Sequence, residues 1–209
     1  KITSIRNNKE VKDILHDKLH NMDIVGLELD VLPVVVYEKW KSLLGLNRIV
    51  DISPHVKQLR MVKSSFELEQ IKQSGEIVAK VFKKAGELIH ADAKELDIAA
   101  ALEAEGRKLG HQGFLRMRGL NQEMLNIYIT HGYSGTVFSG CDVPISGFGV
   151  THAISQGPSI QTLKRDLPIL IDYGSGYNGY ITDETRVYVI GKMTDRFEKA
   201  YYTAREIIE

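Results

Sequence analysis

Asp172 and Asp183 are the residues in this chain whose type and spacing point most directly to chemistry. They lie in LPILIDYGSGYNGYITDETRVYVIG, residues 167–191. The stretch reads as an antiparallel hairpin: Ile169, Leu170 and Ile171 run into a glycine-rich centre, and Val187, Val189 and Ile190 resume beyond it. A turn centred on Tyr177 and Asn178 sets Asp172 directly opposite Asp183. Opposed residues have Cβ atoms roughly 4.5–5.5 Å apart, and like charges there destabilise a sheet. A divalent cation shared by both carboxylates relieves that repulsion.

Three other readings of the same residues stand beside this one. The two acids can be solvated on a surface hairpin. GSGYNG matches G-x-G-x-x-G, but that fingerprint needs a helix to open at its third glycine. Here Gly179 is followed by the strand-like YITDETRVYVI. Two carboxylates about 5 Å apart also suit a retaining glycosidase, although that chemistry does not explain their place on adjacent strands of one tight hairpin.

The pattern as a whole, with Asp172-Tyr-Gly ahead of Gly179-Tyr180-Ile-Thr-Asp183-Glu-Thr185-Arg186, resembles the metal-binding hairpin of the pita-bread metallopeptidases. Within them it is most similar to the branch of Xaa-Pro dipeptidase, aminopeptidase P and creatinase. The resemblance implies that Asp172 binds one metal and Asp183 bridges two, with a water acidified between the ions as nucleophile. It further implies divalent ions (Mn, Co, Fe or Zn), a small peptide substrate cleaved before proline, and a homodimer. The family places a histidine shortly before its first metal aspartate, against the substrate and the developing oxyanion. Allowing a one-residue gap, that position falls on Gln156, the candidate substrate-binding residue. Gln donates a hydrogen bond but supplies neither a proton nor positive charge. His152, four residues earlier, is therefore the candidate catalytic histidine, and His131 is a further one. The departure at Gln156 keeps open a family member with other chemistry, such as a creatinase-like amidinohydrolase or a lyase; a catalytically silent module that binds a peptide or partner is a separate alternative.

Composition bounds the reading. Of 209 residues, 43% are hydrophobic and 26% charged, and 27 basic residues balance 27 acidic ones. Zero net charge argues against nucleic acid or an anionic membrane as partner, and no apolar run approaches the ~20 residues that span a bilayer. One cysteine, Cys141, excludes an internal disulfide and a Cys-based zinc site; it reads as a small buried or loop residue. The expected location is cytoplasmic.

The elements that must position the aspartates follow from the pattern. The expected fold is α+β: residues 1–55 as the tail of a creatinase-like N-terminal α/β domain, and 56–209 as the first part of a pita-bread domain. Val11, Leu15 and Leu19 mark a helix, Ile24 to Asp30 a strand, Pro33 to Trp40 a helix stopped by Gly45, and NRIVDIS a strand ended by Pro54. VKQLRMVK, residues 56–63, reads as a basic connector. Ser64-x-x-Glu67 is a capping box ahead of a stripe of Leu68, Ile71, Val78, Phe82, Ala85 and Ile89. Asp92-x-x-Glu95 reads as a second N-cap, with Gly110 closing that helix. His16, His20 and His55 read as surface histidines, and His90 and His111 as helix-end histidines favoured by the dipole. After a strand at Met124 to Thr130 comes a long glycine-rich connection, and such loops are usually functional. The final helix, from Thr194 or Asp195, stops mid-pattern at Glu209, which reads as truncation. The family's C-terminal part, with one histidine and two glutamates among its metal ligands, is then missing, and Ile169, Ile171 and Val189 are expected to leave an apolar surface for self-association.

Overall fold

The computed structural model describes residues 2–19, 24–138 and 146–209; His20, Cys141 and the His16 side chain lie outside them. The chain divides into two compact units, Lys1–Ser64 with Met117–Gln122, and Ser65–Arg116 with Glu123–Glu209.

In the first unit, α1 (Lys9–Leu19) precedes a small βαβ arrangement. Strands β1 (Val25–Leu27) and β2 (Ile49–Asp51) pair in parallel, joined through α2 (Val34–Leu44). Gly45 ends α2 in the left-handed conformation, φ 65°, as its sequence position predicts. The stretch read as a connector is helical: α3 spans Ser53–Met61. Pro54 has no N–H to lose in a first helical turn, and Asp51 Oδ1 accepts from the Ser53 N–H at 2.9 Å.

The second unit carries the hairpin. Helices α4 (Ser65–Leu88) and α5 (Glu95–Lys108) precede a short pair, β3 (Leu115–Arg116) and β4 (Glu123–Met124). Next come β5 (Ile127–His131), a 3₁₀ turn at Gly132–Thr136, the long strands β6 (Pro168–Tyr177) and β7 (Tyr180–Val189), and α6 (Asp195–Ile208). Strands β5, β6 and β7 form one antiparallel sheet in that order. Alternation along β6 gives each face its role. Ile169, Ile171, Tyr173 and Ser175 point to one side and are fully buried. Ile169, Ile171 and Tyr173 join Ile77, Val78, Val81, Phe82 and Ala85 of α4 and Ile98, Ala99 and Leu102 of α5 in one core.

Ile169 and Ile171 therefore leave no open apolar surface, contrary to expectation: α4 and α5 cover them. Polar contacts pin the same layer. Ser74 donates to the Ser175 carbonyl at 2.9 Å and accepts from Thr182 at 2.5 Å, and Tyr188 donates to the Phe82 carbonyl at 3.0 Å. Among the described residues no helix is long and apolar enough to cross a membrane.

Candidate metal centre

The geometry of the aspartates starts at the turn. Asn178 and Gly179 occupy it with φ of 49° and 84°, the pair of left-handed positions that a two-residue hairpin turn matched to sheet twist requires. The register follows: Asp172 pairs with Thr185, and Gly174 pairs with Asp183. The expected direct opposition of the two aspartates is thus replaced by a diagonal one, because the turn falls one residue later than Tyr177–Asn178. The outcome for chemistry is better. Both side chains still project from one face, and diagonal neighbours stand roughly 7–8 Å apart, wide enough to admit a cation between the carboxylates.

That face is the one turned away from α4. Asp172 is half-buried and Asp183 exposed. The Thr185 hydroxyl donates to Asp172 Oδ1 at 2.9 Å and fixes its orientation. On the other flank Tyr128 of β5 pairs with Asp172 and is 4% exposed. Burial pushes the Asp172 carboxyl above the ordinary carboxylate range, the Thr185 hydroxyl pulls it back, and the nearby charge of Asp183 raises it further. Burial also pushes Asp183 up; its greater access to water screens that rise.

Gly174 keeps room beside the pair. A Cβ there would lie 2.3 Å from Leu115 Cδ1 and 3.4 Å from Asp183 Oδ1. Leu115 packs where a side chain at position 174 would otherwise stand.

These residues fit a divalent cation: two hard oxygen donors, on one accessible face, each held at an electrostatic cost that a cation relieves. Asp172 and Asp183 would hold it. Among the described residues no group of three or more His, Cys, Asp or Glu is clustered for a metal, so the remaining positions of a four- to six-ligand sphere fall to other donors.

Of the other expected site residues, His152 and Gln156 sit in the connection ahead of β6. His152 lies at the exposed tip of a tight turn closed by a bridge between Thr151 and Ile154. Gln156 is half-buried nearer the loop's base. His131 ends β5, 3% exposed, and its Nδ1 lies 2.9 Å from Glu95 Oε1. The expected charged helix-end role of His111 is overturned. Its Nδ1 accepts the Gly176 N–H at 2.9 Å, and burial, with Arg107 second, holds the imidazole below its ordinary pKa. It is a neutral, buried brace behind the hairpin. Glu95 is also not a capping residue: α5 opens at Glu95 itself and the carboxylate turns inward, 0% exposed.

The chain resembles known proteins along most of its length. The model of metallopeptidase family M24 matches residues 69–209, and that of the creatinase/prolidase N-terminal domain matches residues 1–62. The Xaa-Pro dipeptidase of Pyrococcus furiosus is 24% identical over 189 residues, covering 90% of this chain and 47% of that protein. The X-Pro aminopeptidase from Thermotoga maritima superposes with a TM-score of 0.71 at 25% identity, over 95% of this chain and 50% of that one. The prolidase from Pyrococcus horikoshii shares the fold with a TM-score of 0.76 at 20% identity, over 98% of this chain and 50% of that one. The chain thus spans about half the length of the relatives it matches. Two thirds of it lies within the catalytic-domain model, and on that match the chain belongs to metallopeptidase family M24.

Proposed function

We propose that the protein is a metal-dependent exopeptidase that hydrolyses the bond preceding proline in small peptides. The observation that carries this reading is the placement of Asp172 and Asp183 on one accessible face of the β6–β7 hairpin, in a chain whose relatives include Xaa-Pro dipeptidases. Divalent ions, two of them in this reading, supply the activation of water when bound.

The chain's own residues do the rest. Asp172 and Asp183 would hold the ions, Thr185 fixes the Asp172 carboxylate, and Gly174 keeps space beside Asp183. Gln156 donates a hydrogen bond to the substrate carbonyl; as an amide it orients and stabilises charge without transferring a proton. His152 is the candidate for any proton transfer from this chain.

The test is metal analysis of the full-length protein together with turnover of an Xaa-Pro dipeptide. Divalent metal retained through purification with Xaa-Pro hydrolysis supports the reading. Metal-loaded protein inert to Xaa-Pro dipeptides but active on a guanidino or other C–N substrate would move it to the amidinohydrolase or lyase alternative, which the departure at Gln156 keeps open. Gln156→His, which introduces a protonatable donor, is expected to raise turnover.

A further inference from the structure

Glu95 is a fully buried carboxylate with no part in the metal site, and it accepts five hydrogen bonds from two separate segments. Oε1 takes the His131 N–H at 3.2 Å, His131 Nδ1 at 2.9 Å and the Ser134 hydroxyl at 2.7 Å. Oε2 takes the Ser159 N–H at 3.0 Å and the Ser159 hydroxyl at 2.7 Å. A buried carboxylate this well satisfied escapes the penalty of an unpaired buried charge. Its partners are the end of β5 with the 3₁₀ turn on one side, and the segment entering β6 on the other. Backbone bonds run alongside, from Glu95 N–H to the Gln161 carbonyl and from Leu96 N–H to the Ser159 carbonyl, both 3.0 Å.

The Ser159 arm is the base of the loop that carries His152 and Gln156. That loop is closed on itself. The Gly157 N–H donates to the Ser146 carbonyl at 2.5 Å, the Gly149 N–H to the Gly157 carbonyl at 3.0 Å, and the Ile154 N–H to the Thr151 carbonyl at 3.2 Å. Gly149 sits at φ 66°, where a Cβ would meet the Ile154 carbonyl oxygen at 2.3 Å. The loop is tied at both ends: the Ser146 N–H donates to the Val137 carbonyl at 3.1 Å, and Ser159, two residues beyond Gly157, is fastened from inside by Glu95.

We propose that Glu95 is a positioning residue. By holding Ser159 to the end of β5, it fixes the loop of residues 146–158 relative to the sheet that bears Asp172 and Asp183, and so sets where Gln156 meets the substrate. The part concerning Gln156 rests on the function proposed above; the anchoring of the loop does not.

Glu95→Gln keeps size but replaces one acceptor with an NH₂. A hydroxyl partner can reverse to accept from it, whereas the Ser159 N–H cannot and the His131 N–H keeps only Ser134 Oγ at 2.9 Å, so the tie between the two arms is weakened. Ser159→Ala is milder, removing only the hydroxyl contact and keeping the N–H bond. Hydrogen exchange followed by mass spectrometry on the full-length protein reads the anchoring. In both variants peptides spanning 146–161 are expected to exchange at least tenfold faster, with peptides from α4 unchanged. Unaltered loop exchange, or equal acceleration across α4, overturns the proposal. The catalytic consequence is read by a double-mutant cycle. Glu95→Gln is expected to lower kcat/KM on an Xaa-Pro dipeptide by on the order of 100-fold, as for a donor misplaced by about 1 Å, with metal content unchanged. Gln156→Ala should cost little more when added to it, because both remove the same interaction. Additive losses overturn the link to Gln156. If the wild-type protein turns over no Xaa-Pro dipeptide, the proposed function fails, and loop exchange still decides whether Glu95 holds the loop.

Discussion

Gly174→Ala tests how the space beside Asp183 is kept. The new Cβ would stand 2.3 Å from Leu115 Cδ1, against roughly 3.5–4.0 Å for carbon atoms in comfortable contact. Leu115 is 5% exposed and must yield by more than an ångström inside a packed layer. Overpacking of this kind costs about 1–3 kcal/mol. Alanine also restricts the unfolded chain, which returns about 0.4–1 kcal/mol where the backbone accepts it, and Gly174 is not among the positive-φ residues. The steric cost wins, leaving a net loss of about 1–2 kcal/mol. The assay is urea unfolding of Gly174→Ala, Leu115→Val and the double variant. Removing Leu115 Cδ1 should make the alanine nearly neutral, so the double variant should be more stable than the sum of the singles allows. Additive losses would refute the reasoning, and so would a Gly174→Ala variant as stable as wild type. At 3.4 Å the same methyl makes ordinary contact with Asp183 Oδ1, so metal content should survive.

Other expectations concern the frame of the hairpin. Gly179→Ala meets no atom within 4 Å but is held at φ 84°, so it should lose about 1–2 kcal/mol from backbone strain alone, read as a lower urea midpoint at unchanged slope. His111 accepts the Gly176 N–H, and its pKa lies below the ordinary 6.5 because of burial first and Arg107 second. Protonation therefore favours the unfolded chain. The stability the neutral ring supplies is full above about pH 6.5 and is lost as the pH falls through the folded-state pKa. Urea unfolding between about pH 7.5 and 5 should show that loss, and His111→Gln, which keeps an acceptor for Gly176, should show a shallower one; equal slopes would remove His111 as the cause.

The hairpin and its aspartates were legible because period-two alternation and glycine punctuation are local signals. Their shared face was legible too, since a diagonal and a direct pairing both keep Asp172 and Asp183 on one side. The register depends on one residue: Asn178-Gly179 is the dipeptide that tolerates two left-handed positions, and a turn one residue earlier displaces every partner. Pro54 follows the strand, as its position predicts, and also opens α3. Glu95 left no local mark, because its partners His131, Ser134 and Ser159 lie 36, 39 and 64 residues away, and a buried carboxylate near a helix start looks like a capping residue. The role of Gly174 depends on Leu115 from another strand, a contact that no pattern along β6 reveals.

The central claim is that Asp172 and Asp183 together hold a divalent cation, and its most direct test is the metal content of full-length Asp183→Asn beside the wild type. The substitution keeps size and leaves α4, α5 and the core beneath the sheet untouched, so the unfolding midpoint should stay close to that of the wild type. Mass-spectrometric metal analysis after gel filtration should show bound divalent metal falling to a small fraction of the wild-type ratio, with Xaa-Pro turnover lost alongside it. A folded Asp183→Asn protein that keeps both its metal and its turnover would contradict the account.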